Sequence, residues 1–374
     1  MATTGRSAND LGTNFNTSFG AMTSALLMAS LQAPTESPSH AQDSAIVSVN
    51  DLTTIEWVFA FVAVPMVSIP GLVGNVSSLI VLYRHGFKKT SNILLAALSV
   101  ADACYLIGVN NIPAFMHEYS TGRGFHYSGT SCYVLYGLYR MYRLLELWGN
   151  WTSLTLPVLI TIERLVAVYH PFKFPLIVTP RRTLVAVVIS YLLWLPLNVY
   201  YFFLEDLVFV QQGGVIVGRI VPTRYYQDKV WYSVYLSVKK AAIILSEPIP
   251  ILLVGIGCFM VGVKIRLAHA KRRKMMYFVS SVTNARGTPT FRTSWTLLLV
   301  CIVYSITIGT AFFLEMGISV DVSFTANIVL AAAIRLVKCI HSSCNFFIYI
   351  YINRNFQETY RSIFASWVRK HGHK

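Results

Sequence analysis

The chain has 374 residues, 55% of them hydrophobic and only 13% charged, with a mean hydropathy of +0.54, which excludes an ordinary soluble domain. A formal net charge of +15 would suit nucleic-acid binding, but the basic residues lie mainly between long apolar runs, where the excess of Lys and Arg in cytoplasmic loops of membrane proteins explains them better. The partner that composition demands is a lipid bilayer, and no nucleic acid is expected.

Residues 1–52 are rich in Ser, Thr, Ala, Gly and Asn and read as a disordered tail. Arg6 faces Asp10, Glu36, Asp43, Asp51 and Glu56, so the flank of the first span is acidic and the N-terminus is expected outside. The sequon Asn16-Thr17-Ser18 then makes Asn16 a glycosylation candidate. Seven apolar spans follow within residues 53–352: Trp57 to Leu82, Asn92 to Phe115, Leu144 to Val168, Leu184 to Leu204, Ala241 to Val263, Thr293 to Met316 and Phe324 to Ile352. Each is long enough to cross about 30 Å of hydrocarbon as a helix. Residues 353–374 alternate apolar Tyr360, Ile363, Phe364 and Trp367 with Arg361 and Arg369, as in an amphipathic helix on the inner leaflet with a short cytoplasmic tail. The expected fold is therefore all-α: a seven-transmembrane helix bundle with a short amphipathic eighth helix.

Polar residues inside hydrocarbon are costly, so each marks a candidate site. Asn75, between Gly71, Gly74 and Ser77 on the first span, needs a partner that small neighbours let come close. Asp102 lies in the middle of the second span, and Ser342 and Asn345 of the seventh are candidate neighbours. The stretch from Cys132 to Pro171 carries Arg140, Arg143 and Glu146 toward one end and Glu163-Arg164-Leu165 at the other. Lys239, Lys240 and Glu247 pose the same question on the fifth span, as do Arg335 and Lys338 on the seventh. From Lys264 to Arg292 the connection holds eight basic residues and no acid, which puts it in the cytoplasm.

These residues, in this order, resemble the rhodopsin-like G-protein-coupled receptors. Gly74-Asn75 resembles that family's first-helix asparagine motif, and Leu98-Ser99-Val100-Ala101-Asp102 its second-helix aspartate motif. Glu163-Arg164-Leu165 is similar to its acid-Arg-Tyr signature, with Leu165 in place of the aromatic. Asn345-Phe346-Phe347-Ile348-Tyr349 is similar to Asn-Pro-x-x-Tyr, with Phe346 in place of proline. That last form, after Ser342 and Ser343, also resembles invertebrate FMRFamide-receptor-like peptide receptors and related orphan chemosensory receptors. The resemblance implies an extracellular peptide or small-molecule ligand, a heterotrimeric G protein on the other side, and a plasma-membrane location with the C-terminus in the cytoplasm. It implies a G-protein switch at Glu163, Arg164, Leu165 and Tyr349. It also implies a helix-coupling polar network, or sodium site, at Asn75, Asp102, Ser153, Ser342 and Asn345. Glu146, eighteen residues before Arg164, matches the position where amine receptors hold an acid. With Arg140, Arg143, Arg335 and Lys338 nearby, the pocket is expected to suit a peptide or anionic ligand that uses both signs, or else Glu146 pairs with Arg143 or Lys338 and fixes packing.

The departures are as informative. Between Cys132 and Cys258 there is no cysteine, so the family's outer disulfide is not expected, and Cys132 lies about two helical turns farther from Arg164 than usual. The sixth span lacks the family's Cys-Trp-x-Pro toggle, and Tyr304 is a candidate for its aromatic role. Lys338 stands seven residues before Asn345, one more than the family's retinal lysine, so its side chain points about 100° away and a light receptor is rejected. The competing class is a transporter or channel using Asp102, Glu146 and Glu247 as an ion path, against which no inverted repeat is visible. No metal-ligand cluster, phosphate loop or nucleophile motif points to an enzyme, a metal or a cofactor.

Overall fold

The computed structural model describes residues 49–120, 124–212, 214–278, 289–318, 324–352 and 354–371. Asn16, residues 1–48 and the middle of the basic run lie outside them. Seven helices are long and apolar enough to cross a membrane: α1 (Thr54–His85), α2 (Thr90–Glu118), α3 (Gly129–Tyr169), α4 (Pro180–Phe202), α5 (Lys229–Ala268), α6 (Leu299–Met316) and α7 (Asn327–Ile352). An eighth, α8 (Arg354–His371), follows.

Helix already begins at Val49, so residues 49–52 of the expected tail belong to it, and five residues, Phe59–Ala63, are wound as a π-helix. Close approach of α1 to α7 depends on glycine: a Cβ at Gly71 would strike Ser343, and one at Gly74 would lie 2.8 Å from Phe346 Cβ. The α2–α3 interface is built in the same way. There a Cβ at Gly108 would meet the backbone of Glu146, and one at Gly149 the backbone of Tyr105 and Ala101. These two contacts bring Asp102 of α2 level with Ser153 of α3.

α3 runs for 41 residues, roughly 60 Å and about twice the hydrocarbon thickness. Its first turns project from the bundle and support a β-hairpin, β1 (Glu205–Gln212) with β2 (Val215–Pro222), antiparallel from Glu205↔Pro222 to Gln212↔Val215. The hairpin is the β element that composition did not announce. Alternating Val208 and Val210 before Gly213-Gly214 carried its signal, and Gly214 takes a φ of 81° that other residues rarely adopt. Phe125 bridges to Gly218, and Cys132 is wholly buried beneath. The Cys132 thiol donates to the carbonyls of Phe125 and Tyr127 at 3.4 Å each, so this thiol holds the hairpin by packing.

α5 is interrupted at Glu247, the residue before Pro248, whose ring disfavours helix in its predecessor and removes a helical hydrogen bond. Beyond the membrane, helix continues to Phe278, well into the run read as a connection. The largest apolar core joins α2, α3, α5, α6 and α7 through Leu98, Leu154, Ile160, Val254, Tyr304 and Ile308, and Phe356 of α8 closes it below Phe346 and Tyr349.

Candidate functional site

Three polar layers occupy the bundle. At the hairpin end lies a cavity of about 950 Å³ between α3, α5, α6 and α7, with β2 along its rim. Arg140 of α3 donates to the Glu205 carbonyl at 3.1 Å and lies 3.8 Å from the centre of the Phe202 ring, a cation–π contact. Arg143 donates to Glu146 at 3.1 Å, and Arg335 reaches the other Glu146 oxygen at 3.8 Å. Of the two partners open to Glu146 in the sequence, Arg143 is thus the one it takes. Lys338 crosses instead to Glu247 at 2.7 Å, with Glu315 of α6 at 3.9 Å. That triad ties α5, α6 and α7 together, and Glu247 is only 3% exposed. A buried carboxylate needs such a counter-ion, and the break before Pro248 turns it inward.

Glu205 and Glu315 escaped the sequence reading. Glu315 could have been found as the sole acid of the sixth apolar run, whereas Glu205 required knowledge of the hairpin.

In the middle layer Asp102, fully buried, accepts from Ser153 Oγ at 2.5 Å and Asn345 Nδ2 at 2.7 Å. Asn75 donates to the Ser342 carbonyl at 2.9 Å and to Gly71 at 3.1 Å. The five polar residues singled out by sequence therefore meet across α1, α2, α3 and α7. Both Asp102 oxygens accept from protein donors, and Asn345 turns its nitrogen rather than its oxygen inward. These bonds tie α2, α3 and α7 together through Asp102. Tyr304, fully buried on α6, donates to the Leu154 carbonyl at 3.0 Å and meets the His341 ring edge-on at 5.4 Å between centroids.

At the opposite end Arg164 Nη2 lies 3.1 Å from Glu163 Oε2 and 2.5 Å from Ser91 Oγ. Glu163 accepts from Thr90 at 2.5 Å and Ser91 at 3.0 Å. Thr90 and Ser91 open α2 and were missed, because a Thr-Ser pair at a helix start reads as a cap. Leu165 packs on Val261 and Ile265 of α5. Tyr349 is 2% exposed and its hydroxyl has no hydrogen-bond partner among the described residues.

A family model described as "7 transmembrane receptor (rhodopsin family)" matches residues 74–349. The chain is 25% identical over 317 residues to a Drosophila melanogaster protein named FMRFamide receptor, covering 83% of this chain and 54% of that one. It is 24% identical over 232 residues to a Caenorhabditis elegans protein named as a probable G-protein coupled receptor, covering 60% of this chain and 50% of that one. The chain spans about half the length of the curated relatives it matches.

Proposed function

This chain belongs to the rhodopsin family of seven-transmembrane receptors, and on that premise we propose that it binds an extracellular peptide or small-molecule ligand in the cavity below the hairpin and activates a heterotrimeric G protein. The observation that carries the ligand half is the cavity itself, about 950 Å³ and furnished with both signs of charge. Binding sites are concave, with a few placed polar groups, and this one sits where α5, α6 and α7 are tied by one ion triad. A ligand that competes for Lys338, Glu247 or Glu315 binds one arrangement of those helices better than another, which is the differential affinity that shifts a two-state equilibrium. The Drosophila relative's name favours a peptide.

The transducing half rests on Arg164. Held by Glu163 and Ser91, it is restrained by α2 and α3 alone among the described residues, and release would free a guanidinium for a partner's acceptors. The Asp102 layer lies between the two ends and couples them as a polar network. The basic run from Lys264 favours a cytoplasmic position for that end, which would leave the hairpin outside, the C-terminus inside and the receptor in the plasma membrane.

The experiment is a second-messenger screen of peptides and small anions on cells expressing the full chain, followed by charge reversal at Glu146, Arg335 and Lys338. Agonist potency is expected to fall by tenfold or more (about 1.4 kcal/mol or more), compared at matched surface level because Lys338 is also the counter-ion of Glu247. Unchanged potency in all three variants would move the ligand site elsewhere.

A further inference from the structure

Lys239 differs from every other cation of the cavity floor. It lines the cavity on α5 and is only 7% exposed, yet its ammonium has no hydrogen-bond partner among the described residues. Arg143 and Arg335 share Glu146, and Lys338 is held between Glu247 and Glu315. Of these four cations, Lys239 is the one whose charged head has no hydrogen-bond partner among the described residues. The charges it faces are Glu315 and Arg143, of opposite sign. An unpaired buried ammonium costs several kcal/mol, a burden that folding alone does not repay.

The wall beside it is apolar and aromatic. One turn before Lys239, Tyr235 meets Tyr201 edge-on at 5.9 Å, and Tyr201 lies against Trp151 with the rings tilted by 45° at 5.7 Å. Ala242, the next residue on that face, packs in the same cluster. Resting on the reading of this cavity as the ligand site, we propose that Lys239 is an anion subsite, taking a singly charged carboxylate borne on an apolar or aromatic body. A dianion fits less well, because Glu315 and Glu247 stand in the same cavity. This occupant differs from an amidated peptide terminus, which carries no carboxylate.

The test uses the purified full chain in lipid nanodiscs, read by thermal unfolding, with benzoate and its neutral counterpart benzamide as probes. Benzoate at about ten times its Kd is expected to raise the midpoint of the parent chain by about 3 °C and benzamide by less than about 1 °C. Lys239→Arg should keep the benzoate shift and Lys239→Met should lose it. Without probe, Lys239→Met should unfold at the parent temperature or higher, since it removes an unpaired buried charge. A lower midpoint for Lys239→Met that disappears in a Glu315→Gln background would make Lys239 the counter-ion of Glu315 and overturn the proposal. Equal shifts from benzoate and benzamide, or no shift from either, would overturn it too. No G protein enters this readout, so its failure leaves the signalling tests standing, and a receptor that fails to signal still reports on Lys239.

Discussion

Gly149→Ala should separate α2 from α3 and unseat Asp102. A Cβ at Gly149 would stand 2.7 Å from the Ala101 carbonyl oxygen and 3.0 Å from the Cys104 carbonyl carbon, and would also strike the Tyr105 nitrogen. All three are helix backbone, which cannot swing aside as a side chain can, so the helices must part by on the order of 1 Å. Ser153 lies one turn further along the same face of α3, and its 2.5 Å bond to Asp102 would stretch beyond useful range. Overpacking costs about 1–3 kcal/mol, and a lost hydrogen bond to a buried charged group about 1.5–3, while alanine in place of glycine returns about 1. The net is a loss of about 1.5–5 kcal/mol. At about 2 °C per kcal/mol for a chain of this size, the unfolding midpoint should fall by about 3–10 °C. Thermal unfolding of purified protein measures it, with Gly255→Ala as control because a Cβ at Gly255 meets nothing within 4 Å. If Gly149→Ala unfolds within about 1 °C of the control, the close α2–α3 contact does not hold Asp102 in place.

Lys338→Met removes the counter-ion of buried Glu247 and should destabilise by about 3–5 kcal/mol, with Glu247→Gln in the same chain restoring part of the loss in thermal unfolding. Tyr304→Phe deletes one buried hydrogen bond, to Leu154, and should lower stability by about 1 kcal/mol in the same assay; a larger loss would mean that its hydroxyl serves a wider network. Ser91→Ala removes an acceptor from Arg164, so ligand-independent nucleotide exchange by a reconstituted G protein should rise about fivefold, the equivalent of about 1 kcal/mol. An unchanged basal rate would show that Ser91 does not restrain the arginine.

The helices were legible because a bilayer imposes one length and one polarity on every span, and Asp102 and Arg164 stood out because charge in hydrocarbon demands a reason. Partners were harder to read. Lys338 could as well have met Glu146 as Glu247, since the choice depends on the break before Pro248 and on how far α7 leans toward α5. Thr90 and Ser91 look like ordinary cap residues until α3 brings Glu163 against them. The hairpin was hidden because its 16 strand residues follow an apolar span, where alternation is easily taken for the span's end. The α2–α3 contact was likewise invisible, because Gly108 and Gly149 are far apart in sequence and only the fold sets them against each other's helices.

Replacement of Arg164 by alanine tests the receptor reading most directly. Cells expressing the parent chain and Arg164→Ala at matched surface level would be given the agonist found by screening, and second-messenger output compared. The expected result is a response in the parent and loss of at least nine-tenths of it in the variant, about 1.4 kcal/mol or more of lost coupling, with ligand binding retained. A full response from Arg164→Ala, or a ligand-free ionic current through the reconstituted parent chain, would contradict it.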